Sequence, residues 1–170
     1  QAILRRVADF MQQNKEGLAG NLIHGDDLEN IIKDYLKSID IKDVTFVARA
    51  LMEQLRIRNF ILCFVGGGYY AFVHRTFLEY FCAWSFVWQF MVTQTLGKNG
   101  LINDVFGSHW RDEKWHEVLR LISGMIDAKF VGDIISYLMK EDGEEEKFLN
   151  LFLAGKCLFE VRSRQSINDV

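Results

Sequence analysis

The chain has 170 residues, of which 49% are hydrophobic and 14% aromatic, and its formal net charge is −3. This length accommodates one domain or two small ones. The aromatic content excludes disorder over most of the chain, because disordered segments cannot bury enough apolar surface to offset their ordering entropy. A slightly acidic chain is not expected to be a dedicated DNA-binding protein, since such proteins carry basic surfaces that neutralise phosphates. The absence of proline favours long helices, because proline removes a backbone donor.

Three helices are predicted in the first 57 residues, because apolar residues recur there at helical spacing. The first has the stripe Ile3, Leu4, Val7, Ala8 and Met11, and it stops in the polar stretch 14–20. Asp26 or Asp27 is expected to cap the second helix, since short polar side chains accept from the free N–H groups of a first turn. The third helix is expected at about residues 43–57, with Val47, Ala50, Leu51 and Leu55 on one face.

A β-hairpin is predicted after these helices. Two short apolar runs, 60–65 and 69–73, flank Gly66, Gly67 and Gly68. Glycine reaches the positive φ angles that tight turns require. Three helices followed by a hairpin is the order of a winged helix.

The second half of the chain is predicted to be helical. A helix that is apolar on nearly every side begins at about residue 75, and a loop is expected from Gly97 to about Trp110. Three further helices follow, and the last is expected to carry Glu144, Glu145 and Glu146 in its first turn, where the helix dipole favours acids. This pattern is typical of a helical bundle or of the opening of an α-solenoid.

The cysteines and the most apolar segment bear on location. Cys63, Cys82 and Cys157 are widely spaced in apolar surroundings, so we expect reduced core residues of a cytoplasmic protein. The segment 77–92 is apolar but contains Glu79, and it is shorter than the roughly 20 residues of a membrane span. A buried central helix is therefore expected, without membrane insertion.

Common catalytic and ligand-binding patterns are not found in the sequence. Gly66–Gly68 lacks the lysine of a phosphate-binding loop and lies between strands rather than before a helix. His109 and His116 have no cysteine or acidic cluster beside them that would complete a metal site, so neither a metal nor a catalytic residue is predicted. His74 differs from the other histidines because it follows a strand and precedes a helix, at an edge where a side chain can face a partner domain.

The segment from Tyr69 to Ala83, Tyr-Tyr-Ala-Phe-Val-His-Arg-Thr-Phe-Leu-Glu-Tyr-Phe-Cys-Ala, resembles a motif of NACHT-domain STAND NTPases. In that family Phe-x-His-x-Ser/Thr-Phe-Gln-Glu-Tyr/Phe-x-Ala-Ala joins the wing of a winged helix to the next helical domain, just after the ATPase core. This chain has Leu78 where glutamine is usual and Cys82 where alanine is common. The segment 153–161, Leu-Ala-Gly-Lys-Cys-Leu-Phe-Glu-Val, is similar to the helical scaffold of bacterial members.

The resemblance implies a regulatory module of a longer NTPase. It implies that a winged helix folds over an ADP-bound NACHT ATPase domain of the same chain, and that nucleotide exchange leads to an oligomer of the active parent. Such parents are similar to proteins of antiphage defence, innate immunity and signal transduction. ATP and ADP would be the parent's cofactors. The 170 residues lack both Walker motifs and are expected to be neither an enzyme nor a nucleotide binder on their own.

The resemblance also suggests a nucleotide sensor. In related AP-ATPases the histidine of a Met-His-Asp motif reaches the β-phosphate of ADP, and Val73-His74-Arg75 occupies a similar place with arginine instead of aspartate. His74 is therefore the candidate cofactor-binding residue. His24 is a second candidate, because NACHT proteins can place this histidine elsewhere in the winged helix.

The prediction is a mostly α fold, with a winged helix at 1–74, a helical bundle or solenoid-like domain at 75–161 packed on it, and a tail or linker at 162–170. Two alternatives to the regulatory module stay open. One is a winged-helix nucleic-acid-binding protein, for which the third helix would need an exposed basic face from Arg49, Arg56 and Arg58. The other is an α-solenoid scaffold that presents surfaces to protein partners.

Overall fold

In the computed structural model, which describes residues 1–14, 21–57 and 61–161, the chain is mostly α-helical with one small antiparallel sheet. This confirms the predicted fold class. In chain order the elements are α1 (Ala2–Gln13), β1 (Ile23–His24), α2 (Gly25–Ser38), α3 (Val44–Ile57), β2 (Leu62–Gly66), β3 (Tyr69–Phe72), α4 (Arg75–Met91), α5 (Lys98–Gly100), a π-helix (Leu101–Gly107), α6 (Glu113–Met125), α7 (Ala128–Lys140) and α8 (Leu149–Glu160).

The chain divides into two compact units, Gln1–Cys82 and Ala83–Val170. The division falls inside α4, whereas the boundary predicted from the sequence, between residues 74 and 75, lies at the start of this helix. The predicted tail at 162–170 lies outside the described residues, as does most of the polar stretch 14–20.

The first unit has the element order and sheet of a winged helix. Its strands are arranged β1-β3-β2, and both neighbouring pairs are antiparallel. The glycines between β2 and β3 form the predicted turn, because Gly66, Gly67 and Gly68 have φ angles of 98°, 59° and 84°, which a side chain would strain. Strand β1 was not predicted from the sequence, since a strand of two residues has no readable alternation.

Helices α1 and α2 bury one face each in the core of this unit, as their apolar spacing predicts. The buried positions of the two helices are Val7, Ala8, Met11, Leu28, Ile32 and Leu36. Helix α3 is covered less, since Ala48 is its only fully buried residue. Ala50, which was predicted on its buried face, is exposed.

The second unit contains a π-helix where a loop was expected. Gly97, Gly100 and Gly107 predicted a segment without helix. Instead, α5 continues directly into the π-helix Leu101–Gly107, and the backbone stays helical throughout. Leu101, Val105 and Phe106 are buried. The prediction of a loop at 97–110 was therefore wrong, because burial of these side chains outweighs the low helix propensity of glycine.

Helix α8 packs on α6 and α7, and it begins later than predicted. Glu144, Glu145 and Glu146 lie in turns before the helix rather than in its first turn. Phe148 precedes α8 with a left-handed backbone (φ 62°, ψ 33°). These three glutamates therefore belong to the connection between α7 and α8. The prediction that they form the first turn of the last helix was wrong.

The described cysteines are free thiols, and Cys82 and Cys157 are buried. Burial raises the pKa of both thiols, that of Cys157 to about 11, so they are protonated and unreactive at neutral pH. Among the described residues, no helix has both the length and the apolar character needed to cross a bilayer.

Candidate functional site

His74 lies in the two-residue link between β3 and α4, and its side chain is exposed. The link is held by backbone hydrogen bonds on both sides. Val73 N–H donates to the Ile61 carbonyl at 2.9 Å, and Phe77 N–H donates to the His74 carbonyl at 3.0 Å. The imidazole ring lies 6.1 Å from the Phe77 ring, centroid to centroid. A fixed backbone thus presents an accessible imidazole.

The residues around His74 in the motif are mostly core. Phe72 is 2% exposed and stacks on Phe81 at a centroid separation of 6.1 Å. Leu78 and Cys82 are also buried. The Phe72–Phe81 contact thus joins the end of β3 to α4, whereas Val73 and Tyr80 of the motif are 40% and 43% exposed.

The arginine that replaces the motif's aspartate has an internal partner. Arg75 Nε donates to Glu79 Oε1 at 2.8 Å, one helical turn further on. Glu79 is only 8% exposed, and a buried carboxylate needs such a partner because burial without one is costly. This ion pair stabilises the first turn of α4 directly behind His74.

A residue that the sequence analysis did not identify also positions the link. The Asn21 side chain pairs with the backbone of Phe72, since its Nδ2 donates to the Phe72 carbonyl at 2.9 Å and its Oδ1 accepts from the Phe72 N–H at 3.3 Å. This contact lies two positions beyond the Ile23–Tyr70 pair of β1 and β3, next to the segment that carries His74. An isolated asparagine before a short strand gives no recognisable signal in sequence.

His24, the second candidate sensor, is the N-cap of α2. Its Nδ1 accepts from the Asp26 N–H at 3.3 Å, and the same atom lies 3.4 Å from Asp26 Oδ2. The two contacts are alternatives, because only a neutral ring with an unprotonated Nδ1 accepts, whereas a protonated one donates to the carboxylate. The expected caps, Asp26 and Asp27, lie in the first turn instead. His24 thus performs the capping predicted for an aspartate.

The structure does not bring the two histidines together. His24 pairs with Tyr69 at the beginning of β3, and its ring meets the Tyr69 ring edge-on at 5.2 Å. His74 follows the other end of β3. The strand from Tyr69 to Phe72 is about 10 Å long, so the two candidate sensors lie towards opposite ends of β3.

The exposed face of α3 bears on nucleic-acid binding. Phe46 and Ile57 are 75% and 71% exposed. Arg56 lies over the Phe64 ring at 4.8 Å and within 4.0 Å of Glu53, so part of its charge is already compensated. Arg49 is exposed, and Arg58 lies outside the described residues. The described part of this face is apolar and weakly charged rather than basic.

The remaining histidines have structural contacts in the second unit. His116 is buried with its Nε2 2.6 Å from the Trp110 carbonyl oxygen. His109 stacks on Trp115 at 3.7 Å with nearly parallel rings. Burial lowers the pKa of His109, against a smaller opposing effect of Asp112. Both histidines therefore have a structural role in the packing of the second unit.

Comparison with known proteins gives no relative: the chain matches no family model, no curated protein and no solved structure.

Proposed function

We propose that this chain is the regulatory and signal-relay module of a NACHT-type signalling NTPase. In the proposed parent, a cytoplasmic protein, it holds the ATPase domain in an ADP-bound resting state and couples nucleotide exchange to oligomerisation. The observation that carries the proposal is the link between β3 and α4. The exposed His74 there follows the buried Phe72, and Leu78, Phe81 and Cys82 further along the motif are buried as well.

The proposed chemistry is a contact between the His74 imidazole and a phosphate oxygen of ADP. An imidazole N–H donates to phosphate, and a charge-assisted hydrogen bond of this kind contributes about 1–3 kcal/mol. That free energy shifts the equilibrium of a two-state switch by about 5- to 150-fold. Several contacts support a fixed position for the backbone that carries the ring, namely the backbone bonds of the link, the Arg75–Glu79 pair and the hydrogen bonds of Asn21 to Phe72. His24 is the weaker candidate, because a phosphate contact through Nδ1 would remove the cap of α2.

The nucleotide itself belongs to the ATPase domain of the parent in this proposal. The chain alone is proposed to be neither a catalyst nor a nucleotide carrier. A Walker A loop and an acidic Walker B strand are expected within about 300 residues upstream of Gln1 in the parent, a distance that allows for one NTPase core and a small helical domain.

The experiment is ADP release from the purified full-length parent, followed with a fluorescent ADP analogue. We expect His74→Ala to release ADP about ten-fold faster than the unaltered protein, because the closed state loses one phosphate contact. Thr76→Ala is the matched control, since Thr76 is exposed two residues away, and its release rate should not change.

Unchanged release from His74→Ala would show that this residue is not the sensor. The regulatory role has a separate test, in which the 170-residue chain is added to the isolated ATPase domain of the parent. Slower nucleotide exchange in the mixture supports the module. If exchange is unaffected and no complex forms on a sizing column, the module proposal is wrong.

A helical scaffold for protein partners is the second candidate. It is favoured by the large apolar side chains that α8 exposes, among them Phe152 and Phe159. This candidate predicts binding to a protein other than the ATPase domain.

A further inference from the structure

Helix α3 has an exposed face opposite its buried side. At about 100° per residue, Phe46, Ala50, Glu53 and Ile57 fall within an arc of about 60°. Ala48, the only fully buried residue of this helix, lies in nearly the opposite direction. All four residues are exposed, Phe46 to 75% and Ile57 to 71%. We call these four residues the α3 outer face.

The residues of the α3 outer face have the spacing of a helix-pairing surface. They are separated by four, three and four positions, which is the spacing of the residues along which two helices pack in a coiled coil. Large apolar side chains lie at both ends of the face, and Ala50 and Glu53 lie between them. A surface helix normally directs polar residues outward. The exposed Phe46 and Ile57 at these positions therefore indicate that a second helix packs here.

The charged residues of this face define the chemistry of the partner. Arg49 is exposed, and it lies on the same side of the face as Glu53, about 40° further round the helix. Glu53 Oε2 lies 4.0 Å from Arg56 Nη1, which is too far for a hydrogen bond. The Arg56 guanidinium lies instead over the Phe64 ring of its own chain, 4.8 Å from the centroid. A fitting partner helix therefore brings an acid to Arg49 and a base to Glu53.

A second copy of α3 meets these requirements when the two helices run antiparallel about a two-fold axis midway between Ala50 and Glu53. Phe46 then comes level with Ile57 of the second copy, each about 8 Å from the two-fold axis along the helix. Ala50 comes level with Glu53 of the second copy, about 2 Å from the same axis. This symmetry keeps equivalent residues on the same side of the pair, so Arg49 lies beside that carboxylate. Opposite charges thus meet twice, and apolar side chains meet at both ends.

The size of the face suits a weak pair. From the exposed fractions of Phe46 and Ile57, these two side chains expose roughly 270 Å² per copy, taking side-chain areas of the usual size. A pair would bury roughly 550 Å² of this apolar surface, less than the roughly 1,000 Å² of total area in a stable interface. We therefore expect a dissociation constant of about 10 to 100 µM.

We propose that the α3 outer face is a self-association surface, on which a second copy of this chain docks with its own α3 antiparallel. Phe46 and Ile57 supply the apolar contact, and the contact of Arg49 with Glu53 of the second copy determines the direction of the pairing. The proposal concerns the first unit only. It holds or fails independently of the nucleotide-sensing role of His74.

The first test is the mass of the 170-residue chain by sedimentation equilibrium. We expect a rise from 19.8 kDa towards twice that value as the concentration is raised from about 1 to 200 µM. Phe46→Glu should stay monomeric, because it places a charge in the apolar contact. Phe152→Glu is the matched control, since Phe152 is 65% exposed on α8 of the second unit, and it should associate like the unaltered chain.

The second test exchanges the charges. Arg49→Glu brings acid against acid, and Glu53→Arg brings base against base, so each variant alone should have a dissociation constant raised about ten-fold or more. An equimolar mixture of these two variants should associate again, because each acid then faces an arginine of the other copy. The double variant should associate for the same reason. Circular dichroism verifies that every variant is folded.

A chain that remains at the mass of one copy at about 200 µM would overturn the proposal, and this is the result expected if the face binds only the ATPase domain of the proposed parent. Association that persists in Phe46→Glu, or that is lost in Phe152→Glu, would place the contact elsewhere and overturn it too. The antiparallel pairing is wrong if the two charge variants associate singly like the unaltered chain, or if their mixture stays monomeric.

Discussion

At the scale of single residues, Asn150 holds the connection between α7 and α8. Its Nδ2 donates to the carbonyl oxygens of Leu138 and Glu141, at 2.9 and 2.8 Å, and the residue is 2% exposed. Its Oδ1 lies against Gly143, so closely that a Cβ atom on Gly143 would overlap it. The residue thus satisfies two carbonyl groups at the end of α7 that have no partner within the helix.

We expect Asn150→Ala to lower the free energy of unfolding by about 2–3 kcal/mol, because two carbonyl oxygens lose their donor in or near the core. Gly143→Ala should be destabilising by about 1–3 kcal/mol through the overlap with Oδ1. In the double variant the cost of Gly143→Ala should largely disappear, since the overlapping atom is gone. Urea denaturation of the four proteins measures this cycle.

Asn99→Ala is the control for that cycle, because Asn99 is exposed and its loss should change stability by less than about 0.5 kcal/mol. If the losses of unfolding free energy of the two single variants simply add in the double variant, the proposed overlap is contradicted.

Sequence could place His74 between a strand and a helix, but it could not assign roles that depend on contacts between residues distant along the chain. The hydrogen bonds between Asn21 and Phe72 join residues that are 51 positions apart. The hydrogen bonds of Asn150 join α8 to the end of α7. His24 was considered only as a sensor, because histidine is rarely the cap of a helix. In the structure Asp26 lies inside the first turn of α2, and His24 is the N-cap that accepts from its N–H.

At the scale of elements, Arg120 connects α6 to α8. Its guanidinium forms ion pairs with Glu117 one turn earlier and with Glu160 near the end of α8. The hydrogen bond from Arg120 lowers the pKa of Glu117 below its usual value of 4.5, against a smaller opposing effect of burial. The three side chains are 29–39% exposed, so solvent screening reduces the strength of these pairs.

We expect Arg120→Gln to lower the free energy of unfolding at pH 7 by about 1 kcal/mol. A carboxyl whose pKa is lowered by folding contributes stability above its unfolded pKa, and this stability is lost as the pH falls through the folded pKa. The difference between the two proteins should therefore narrow below about pH 4.5. Denaturation at several pH values measures it.

Lys33→Gln is a suitable control for that comparison, because Lys33 pairs with Glu29 within α2 alone and should cost less than about 0.5 kcal/mol. A pH-independent difference for Arg120→Gln would show that packing of its side chain, and not charge, accounts for the effect.

Most helices could be predicted from the sequence because their apolar spacing matches the face that they bury. The glycine-rich turn was predicted for the same kind of reason, since its backbone needs positive φ angles. Local signals failed where burial decided the outcome, as in the π-helix, where Leu101, Val105 and Phe106 are packed in spite of three nearby glycines. They also failed at Glu144–Glu146, where an acidic run indicated a helix start that lies further on.

At the scale of the whole molecule, the charge distribution bears on the choice between protein and nucleic-acid partners. The net charge is −3, and the described part of α3 exposes Phe46 and Ile57 beside a partly compensated Arg56. Binding to duplex DNA depends on neutralising several phosphates at once. The described part of α3 therefore favours the proposed protein partners over a DNA duplex.

We therefore expect the fluorescence anisotropy of a labelled DNA duplex to stay constant when the chain is added at about 50 mM salt, where phosphate contacts are strong. Arg49→Glu should give the same flat titration. Binding that weakens steeply between about 50 and 200 mM salt, and that Arg49→Glu abolishes, would instead favour the nucleic-acid alternative.

The π-helix Leu101–Gly107 has a consequence for changes in chain length. A π-helix turn contains one residue more than an α-helical turn, so deletion of one residue can return it to ordinary α-helix. The side chains after the deletion would keep their direction towards the core, among them the fully buried Trp110. We therefore expect the fold to tolerate deletion of one residue from this π-helix. The same deletion within α6 or α7 would rotate every later side chain of that helix away from the face that it buries.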